Sequence, residues 1–259
     1  YDARTDKFEN RPCPHKIKEL VPAEDGKLLI ATSEGEVMYI DCTSMDTETV
    51  FKAKEGTDIN CIIERVAGEC WIGTTYGLYI RRSGGTYFGE AFHNASTPES
   101  ISADYITSLG KDKSGNVWVG TYYTGINLWQ NRNGEMNIYF PKPSSNSLKG
   151  KIVRSICQDA YGQIWLCTED GWLNCFRPAS FIVKNYKLAD NLNLQGLVID
   201  DDKLWICSYG NGIWLFDIRT EKVIRHYDLD NNTTTLGIKS DNGSIFIGTT
   251  SGLYRYEST

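Results

Sequence analysis

Long apolar runs are missing from this 259-residue chain; nothing approaches the roughly 18 consecutive apolar residues that a membrane-spanning helix needs. No signal peptide opens it, and Tyr1 stands where an initiator methionine would, as expected of a domain excised from something longer. Basic excess is missing too. Against 33 Asp and Glu there are 27 Lys and Arg, a formal net charge of −6, which argues against a phosphate-binding groove for nucleic acid. Histidine is scarce: His15, His93 and His226 lie far apart, without a matched cysteine or carboxylate spacing, so no metal site and no cofactor is expected. Neither a nucleophile elbow nor a phosphate-cradling glycine loop occurs, and no catalytic residue is assigned. The run DLDNN (228–232) alternates acids as a calcium loop does, but without its glycine and terminal glutamate it reads as a turn.

Aromatic residues, by contrast, are abundant: 7 Trp, 15 Tyr and 9 Phe in a chain that is 41% hydrophobic. That favours strands and leaves enough apolar mass for a full core. Many of them fall in a segment written six times: KLLIATSEGEVMYI (27–40), ECWIGTTYGLYI (69–80), NVWVGTYYTGINLW (116–129), QIWLCTEDGWLNCF (163–176), KLWICSYGNGIWLF (203–216) and SIFIGTTSGLYRY (244–256). The central large residue is Leu29, Trp71, Trp118, Trp165, Trp205 and Phe246 in turn, at spacings of 42, 47, 47, 40 and 41. A sustained period near 40–50 with short strands predicts an all-β protein, a β-propeller of six four-stranded blades forming one domain over 1–259.

One repeat has a legible grammar. An apolar anchor (Leu20, Ile62, Leu109, Ile156, Leu197, Ile238) ends a short first strand, and a polar turn such as KDKSG (111–115) follows. The apolar trio is the second strand; alternation sends Trp118 to one face and Val117 and Val119 to the other. Both faces are apolar, so each sheet must be covered on both sides. The N-terminal YDARTDKF (1–8) resembles FDIRTEKV (216–223), so the N-terminal strand is expected to complete the last blade and hide its edge. The alternative is a fragment of a seven-bladed or longer array.

The copies DYITSLGKDKSGNVWVGTYYTGINLW and IVRSICQDAYGQIWLCTEDGWLNCF, with the linker PKPSSNSLKGKIVRSI (141–156), resemble the two-component regulator propeller repeat. The order Asp, Gly, apolar-Trp-apolar, Gly-Thr, Gly, apolar-Asn-apolar carries the resemblance, which extends over essentially the whole chain. It departs at Leu29 and where Cys167 and Cys207 replace glycine. The family implies the periplasmic sensor region of a hybrid two-component system (a sensor histidine kinase) of gut Bacteroidetes, part of an inner-membrane receptor. On that resemblance the chain would recognise glycan fragments and control polysaccharide-utilisation genes. Its partners would be an oligosaccharide, a second propeller and an Ig-like domain of the same receptor, with dimerisation through the full-length protein. This piece itself would contact neither membrane nor nucleic acid. The rival readings are a protein-interaction scaffold and an enzyme like the streptogramin lyases.

The strand position of the trio tryptophans makes them core residues, not stacking platforms. The loop after Gly-Thr offers better candidates: Tyr122 and Tyr123 in repeat three, Glu169, Asp170 and Trp172 in repeat four, Tyr209 and Asn211 in repeat five. Aromatic faces stack on sugar C–H faces while amides and carboxylates bond the hydroxyls; a merely solvated rim is the alternative. Two residues before each anchor stand Lys18, Asn60, Thr107, Arg154, Gln195 and Leu236, positions that would line a central channel. Arg154 would clamp a carboxylate there or form a structural ion pair. Of eight cysteines, Cys70, Cys167, Cys175 and Cys207 fill core slots as free thiols, whereas Cys61 and Cys70 flank one hairpin and either pair across it or stay free.

Overall fold

The computed structural model describes residues 15–81, 88–144, 146–229, 235–241 and 244–257. Twenty-three strands and no helix occur among them. The strands fall into six antiparallel sheets in chain order, the blades of a propeller. Blade 1 holds β1 (Ile17–Pro22), β2 (Lys27–Thr32), β3 (Glu36–Asp41) and β4 (Thr47–Lys52); blade 2 holds β5 (Ile59–Val66), β6 (Glu69–Thr74), β7 (Gly77–Arg81) and β8 (Phe88–Ala91). Blade 3 comprises β9 (Ile106–Lys111), β10 (Val117–Thr121), β11 (Ile126–Trp129) and β12 (Met136–Tyr139). Blade 4 comprises β13 (Val153–Gln158), β14 (Ile164–Thr168), β15 (Trp172–Arg177) and β16 (Ile182–Lys187). Blade 5 is β17 (Leu194–Asp200), β18 (Lys203–Ser208), β19 (Ile213–Asp217) and β20 (Lys222–Tyr227). Blade 6 shows β21 (Thr235–Asp241), β22 (Ser244–Thr249) and β23 (Gly252–Glu257) among the described residues.

The repeated sequence produces a repeated register. Each apolar anchor pairs with the last residue of its trio: Leu20 with Ile30, Ile62 with Ile72, Leu109 with Val119, Ile156 with Leu166, Leu197 with Ile206, Ile238 with Ile247. Just before the anchor, every inner strand slips register, passing over Lys18, Asn60, Thr107, Arg154, Gln195 and Leu236. A bulge leaves one residue out of the ladder and re-aims its side chain. The six positions expected to line the channel are these six bulge residues.

Blades are glued face to face, as the alternation requires. Trp118 packs with Ile164, Leu166 and Phe176 of blade 4, while Val117 and Val119 pack with Trp71 and Leu78 of blade 2. Likewise Trp165 faces Leu204 and Phe216 of blade 5, and Trp205 faces Ile245 and Ile247 of blade 6. Inner strands succeed one another as β1, β5, β9, β13, β17 and β21, but no comparable packing joins β21 back to β1 among the described residues. The apolar anchor Leu20 is 41% exposed whereas Ile62 is 1% exposed; among the described residues the packing on blade 1 comes from blade 2. The strand expected from residues 1–8 to complete blade 6 lies outside the described residues.

The cysteines resolve in favour of free thiols. Cys61, Cys70, Cys157, Cys167 and Cys175 form no disulfide. Register explains it: Cys61 lies opposite Gly73 and Cys70 opposite Glu64, so the two thiols never face each other.

Candidate functional site

Because neighbouring inner strands belong to different sheets, their backbones do not pair, and side chains at or next to the bulges bridge them. Asn60 Nδ2 donates to the Ile106 carbonyl at 2.9 Å, and Thr107 Oγ1 donates to the Val153 carbonyl at 2.6 Å. Ser155 Oγ accepts from Leu197 N at 3.2 Å, and Glu19 Oε2 from Ile62 N at 2.9 Å. A cavity of about 440 Å³ lies along this axis, with Glu19, Asn60, Thr107 and Arg154 in its wall. Most of its polar groups thus join blades and are not left open to a ligand. The Gln195 amide is taken up within blade 5 instead, donating to Asn193 Oδ1.

Arg154 departs from that pattern. Its guanidinium turns to the rim, where Nε and Nη2 both bond Glu169 Oε2, the former at 3.0 Å. Two residues singled out separately in the sequence are therefore partners, each about one-third exposed. Of the two readings of Arg154, the ion pair is the one seen here.

The loops after the Gly-Thr positions share one rim. In blade 3 the Tyr122 ring lies 5.0 Å from Tyr105 and 4.2 Å, edge-on, from Tyr123, whose side of the pair is 55% exposed. Tyr123 has φ 69, left-handed backbone that a bulky residue rarely takes; the matching position in blade 5 is Gly210, at φ 72. Tyr122 bridges to Ile152, whose carbonyl also accepts from Glu169 N at 2.9 Å, so the loops of blades 3 and 4 meet. The Tyr122 phenol is held above its ordinary pKa, first by its hydrogen bond with Tyr123 and to a lesser degree by the Glu169 charge. In blade 4, Trp172 lies under Lys187 at 5.1 Å and Asp170 is exposed.

The blade 5 candidates form a separate group whose contacts stay within that blade. The Asn211 carbonyl accepts from Trp214 Nε1 at 3.2 Å and is 2.8 Å from His226 Nε2, while the Trp214 and His226 rings stack at 4.0 Å. Tyr209 is 55% exposed beside them. Sequence reasoning missed Tyr105, Trp214, His226 and Lys187 as rim groups. A signal for one pair existed, since Trp214 and His226 are direct cross-strand partners on β19 and β20. The rim also bears a cavity of about 630 Å³ outside the expected arc, at blades 1 and 2, with Lys18, Lys52, Lys54 and Asp58 in its wall.

With this geometry in hand, comparison with known families finds a match to the model described as "Two component regulator propeller" at residues 100–123 and 147–170. The matched segments cover part of blades 3 and 4. They run from the linker before β9 and β13 to the rim loops bearing Tyr122, Tyr123, Glu169 and Asp170. Blades 3 and 4, which hold these segments, carry the same two locks: an aspartate on the tryptophan indole (Asp112 with Trp118, Asp159 with Trp165) and a buried third-strand asparagine holding the preceding linker. Among solved structures, the extracellular domain of a protein assigned as a one component system (BT4673) from B. thetaiotaomicron is similar at 18% identity and TM-score 0.45. The likeness covers 99% of this chain, which spans 44% of that one. The propeller assignment rests on the six sheets themselves and not on that likeness. Comparison with curated proteins finds no match.

Proposed function

We propose that this chain is a ligand-sensing propeller from the extracytoplasmic part of a two-component regulator, acting by binding and not by catalysis. Its rim at blades 3 to 5 takes glycan fragments, and occupancy is passed to other domains of an inner-membrane receptor that controls polysaccharide-utilisation genes. One observation supports the rim above all others. Tyr123 keeps a phenol exposed at a backbone conformation that the repeat of blade 5 fills with glycine, and such strain concentrates where a side chain is needed for recognition. Beside it stand Tyr122 and Tyr105 for stacking and the Arg154–Glu169 pair for hydroxyl bonding.

The test is a glycan-fragment screen by calorimetry, repeated on Tyr123→Gly. Glycine relieves the left-handed strain, so folding stability should hold or rise by up to about 1 kcal/mol. Affinity for the cognate fragment should fall by about 1–2 kcal/mol, the scale of a lost aromatic contact. Unchanged affinity in this variant sinks the rim assignment.

A further inference from the structure

The rim opposite the tyrosines carries a groove of about 620 Å³ between blades 3 and 4, within the size range of small-molecule sites. Its walls are the turn after β9, the turn after β13 and the turn joining β15 to β16, with Ser114, Gln158, Tyr161, Gln163, Arg177 and Ser180 at the surface of the groove. Three of these groups are oriented before any ligand arrives. Gln158 Oε1 accepts Lys113 N at 2.7 Å, which fixes the amide with its NH2 on the Gly162 side of the groove. Arg177 Nε is tied to Gln163 Oε1 at 2.7 Å, and Nη2 leans 3.6 Å from Glu221, so the guanidinium plane is set while Nη1 has no partner among the described residues. Tyr161 is 57% exposed, yet its hydroxyl is pinned between Asp202 at 2.8 Å and Arg219 Nε at 3.3 Å, which holds its ring in place at the groove. The acid of this wall, Asp112, is spent: its two oxygens accept from Ser114 N, Asn116 N, Asn116 Nδ2 and Trp118 Nε1.

We propose that this groove is a second binding site, for a small hydroxylated carboxylate such as a uronic acid. Arg177 Nη1 takes a carboxylate oxygen; the Gln158 amide and the Ser114 and Ser180 hydroxyls take ring hydroxyls; the Tyr161 face takes the C–H surface. Fixed donors lower the ordering cost of binding, which is what distinguishes this groove from a wet turn surface. The site is independent of the tyrosine rim, so either can fail without the other.

The probe is sodium glucuronate, with glucose as its uncharged counterpart, titrated into isotope-labelled protein and followed by backbone amide shifts. Glucuronate should move the amides of Tyr161, Gly162, Ala179 and Ser180, and glucose should bind at least about tenfold more weakly, for want of the charge-assisted pair. Arg177→Gln should weaken glucuronate by about tenfold, and Tyr161→Ala should weaken it on a side chain whose exposed ring is free of any core role. Tyr123→Gly should leave it unchanged. The proposal falls if millimolar glucuronate moves none of these amides, if Arg177→Gln and Tyr161→Ala both bind as the parent does, or if the shifts are confined to Tyr122–Gly125.

Discussion

Trp165 donates its indole N–H to Asp159 Oδ2 at 2.8 Å, with both residues 1% exposed. The same carboxylate accepts Gln163 Nε2 at 2.9 Å, and its other oxygen accepts Tyr161 N and Gln163 N. One aspartate thus closes the turn and satisfies the core tryptophan six residues later. Blade 3 repeats this with Asp112 and Trp118, at 3.1 Å. Blade 2 reaches the same end differently, since Trp71 donates to Glu69 at 2.9 Å. In blade 5 the turn is one residue shorter: Ile199 pairs with Leu204 as Gln158 does with Ile164, so Asp200 holds the aspartate's place, yet the buried Trp205 Nε1 has no hydrogen-bond partner among the described residues.

These differences give a paired prediction. Asp159→Ala leaves the indole and turn amides unsatisfied, so it should cost about 3 kcal/mol in urea unfolding. Trp165→Phe should cost more than Trp205→Phe, because only the former strands a partner. Equal losses at the two tryptophans would show that the carboxylate contributes nothing beyond shape.

The third-strand asparagine of blade 4 gives another. Asn174 is fully buried on β15; its Oδ1 accepts Lys149 N at 2.8 Å and its Nδ2 donates to the Lys149 carbonyl at 3.1 Å. It therefore satisfies both polar groups of one linker residue that no sheet ladder reaches. Asn174→Leu keeps the volume but orphans that pair, and should lower stability by about 2–4 kcal/mol, read as the denaturation midpoint. Retention of the parent midpoint would mean that the linker repacks without the lock.

Sequence pattern revealed the blades because period, alternation and anchor spacing are all local consequences of strand geometry. Leu109 facing Val119, and Trp118 turned from Val117, follow from counting residues. Leu20 escaped that logic, since its burial depends on whether another sheet covers blade 1, which no local pattern encodes. The bulges were half visible. Lys18, Asn60, Thr107 and Arg154 stood out as polar residues in apolar strands, yet nothing local says which neighbouring carbonyl or carboxylate each will meet. Arg154 and Glu169 were both singled out for the rim, but their pairing depends on a bulge on β13 aiming one side chain at the loop after β14. Tyr123 was visible as an aromatic; its left-handed backbone was not, because the sequence there has no glycine to announce it.

Arg154 and Glu169 also set a limit on what a rim ion pair contributes. Both side chains are about one-third exposed, so solvent screens the attraction. Arg154→Met should change unfolding stability by less than about 1 kcal/mol. A larger loss in thermal unfolding would show that the pair, like Asn60 and Thr107, is part of the joint between blades.

The thiols give a pH dependence whose sign follows from burial. Burial raises Cys70 from an ordinary 9.0 to about 11 and, with smaller opposing charges, Cys175 to about 12. Cys61, Cys157 and Cys167 are pushed up for the same first cause. In each case the folded protein holds the proton more tightly than the unfolded chain. Below pH 9.0 both states keep their thiols protonated, and the contribution to stability is fully present. Above it the unfolded thiols ionise while the folded ones do not, so stability drains away until the folded values are passed. Each thiol weakens the fold by at most about 1.4 kcal/mol per pH unit in that window. Tyr39 and Tyr186, whose ordinary value is 10.0, add to the slope only later. Urea unfolding should therefore show a plateau to about pH 9 and a steady fall beyond it. The double variant Cys70→Ala and Cys175→Ala should fall less steeply, though from a lower plateau. A parent profile flat through pH 10, or equal slopes in parent and variant, would remove the buried thiols as its cause.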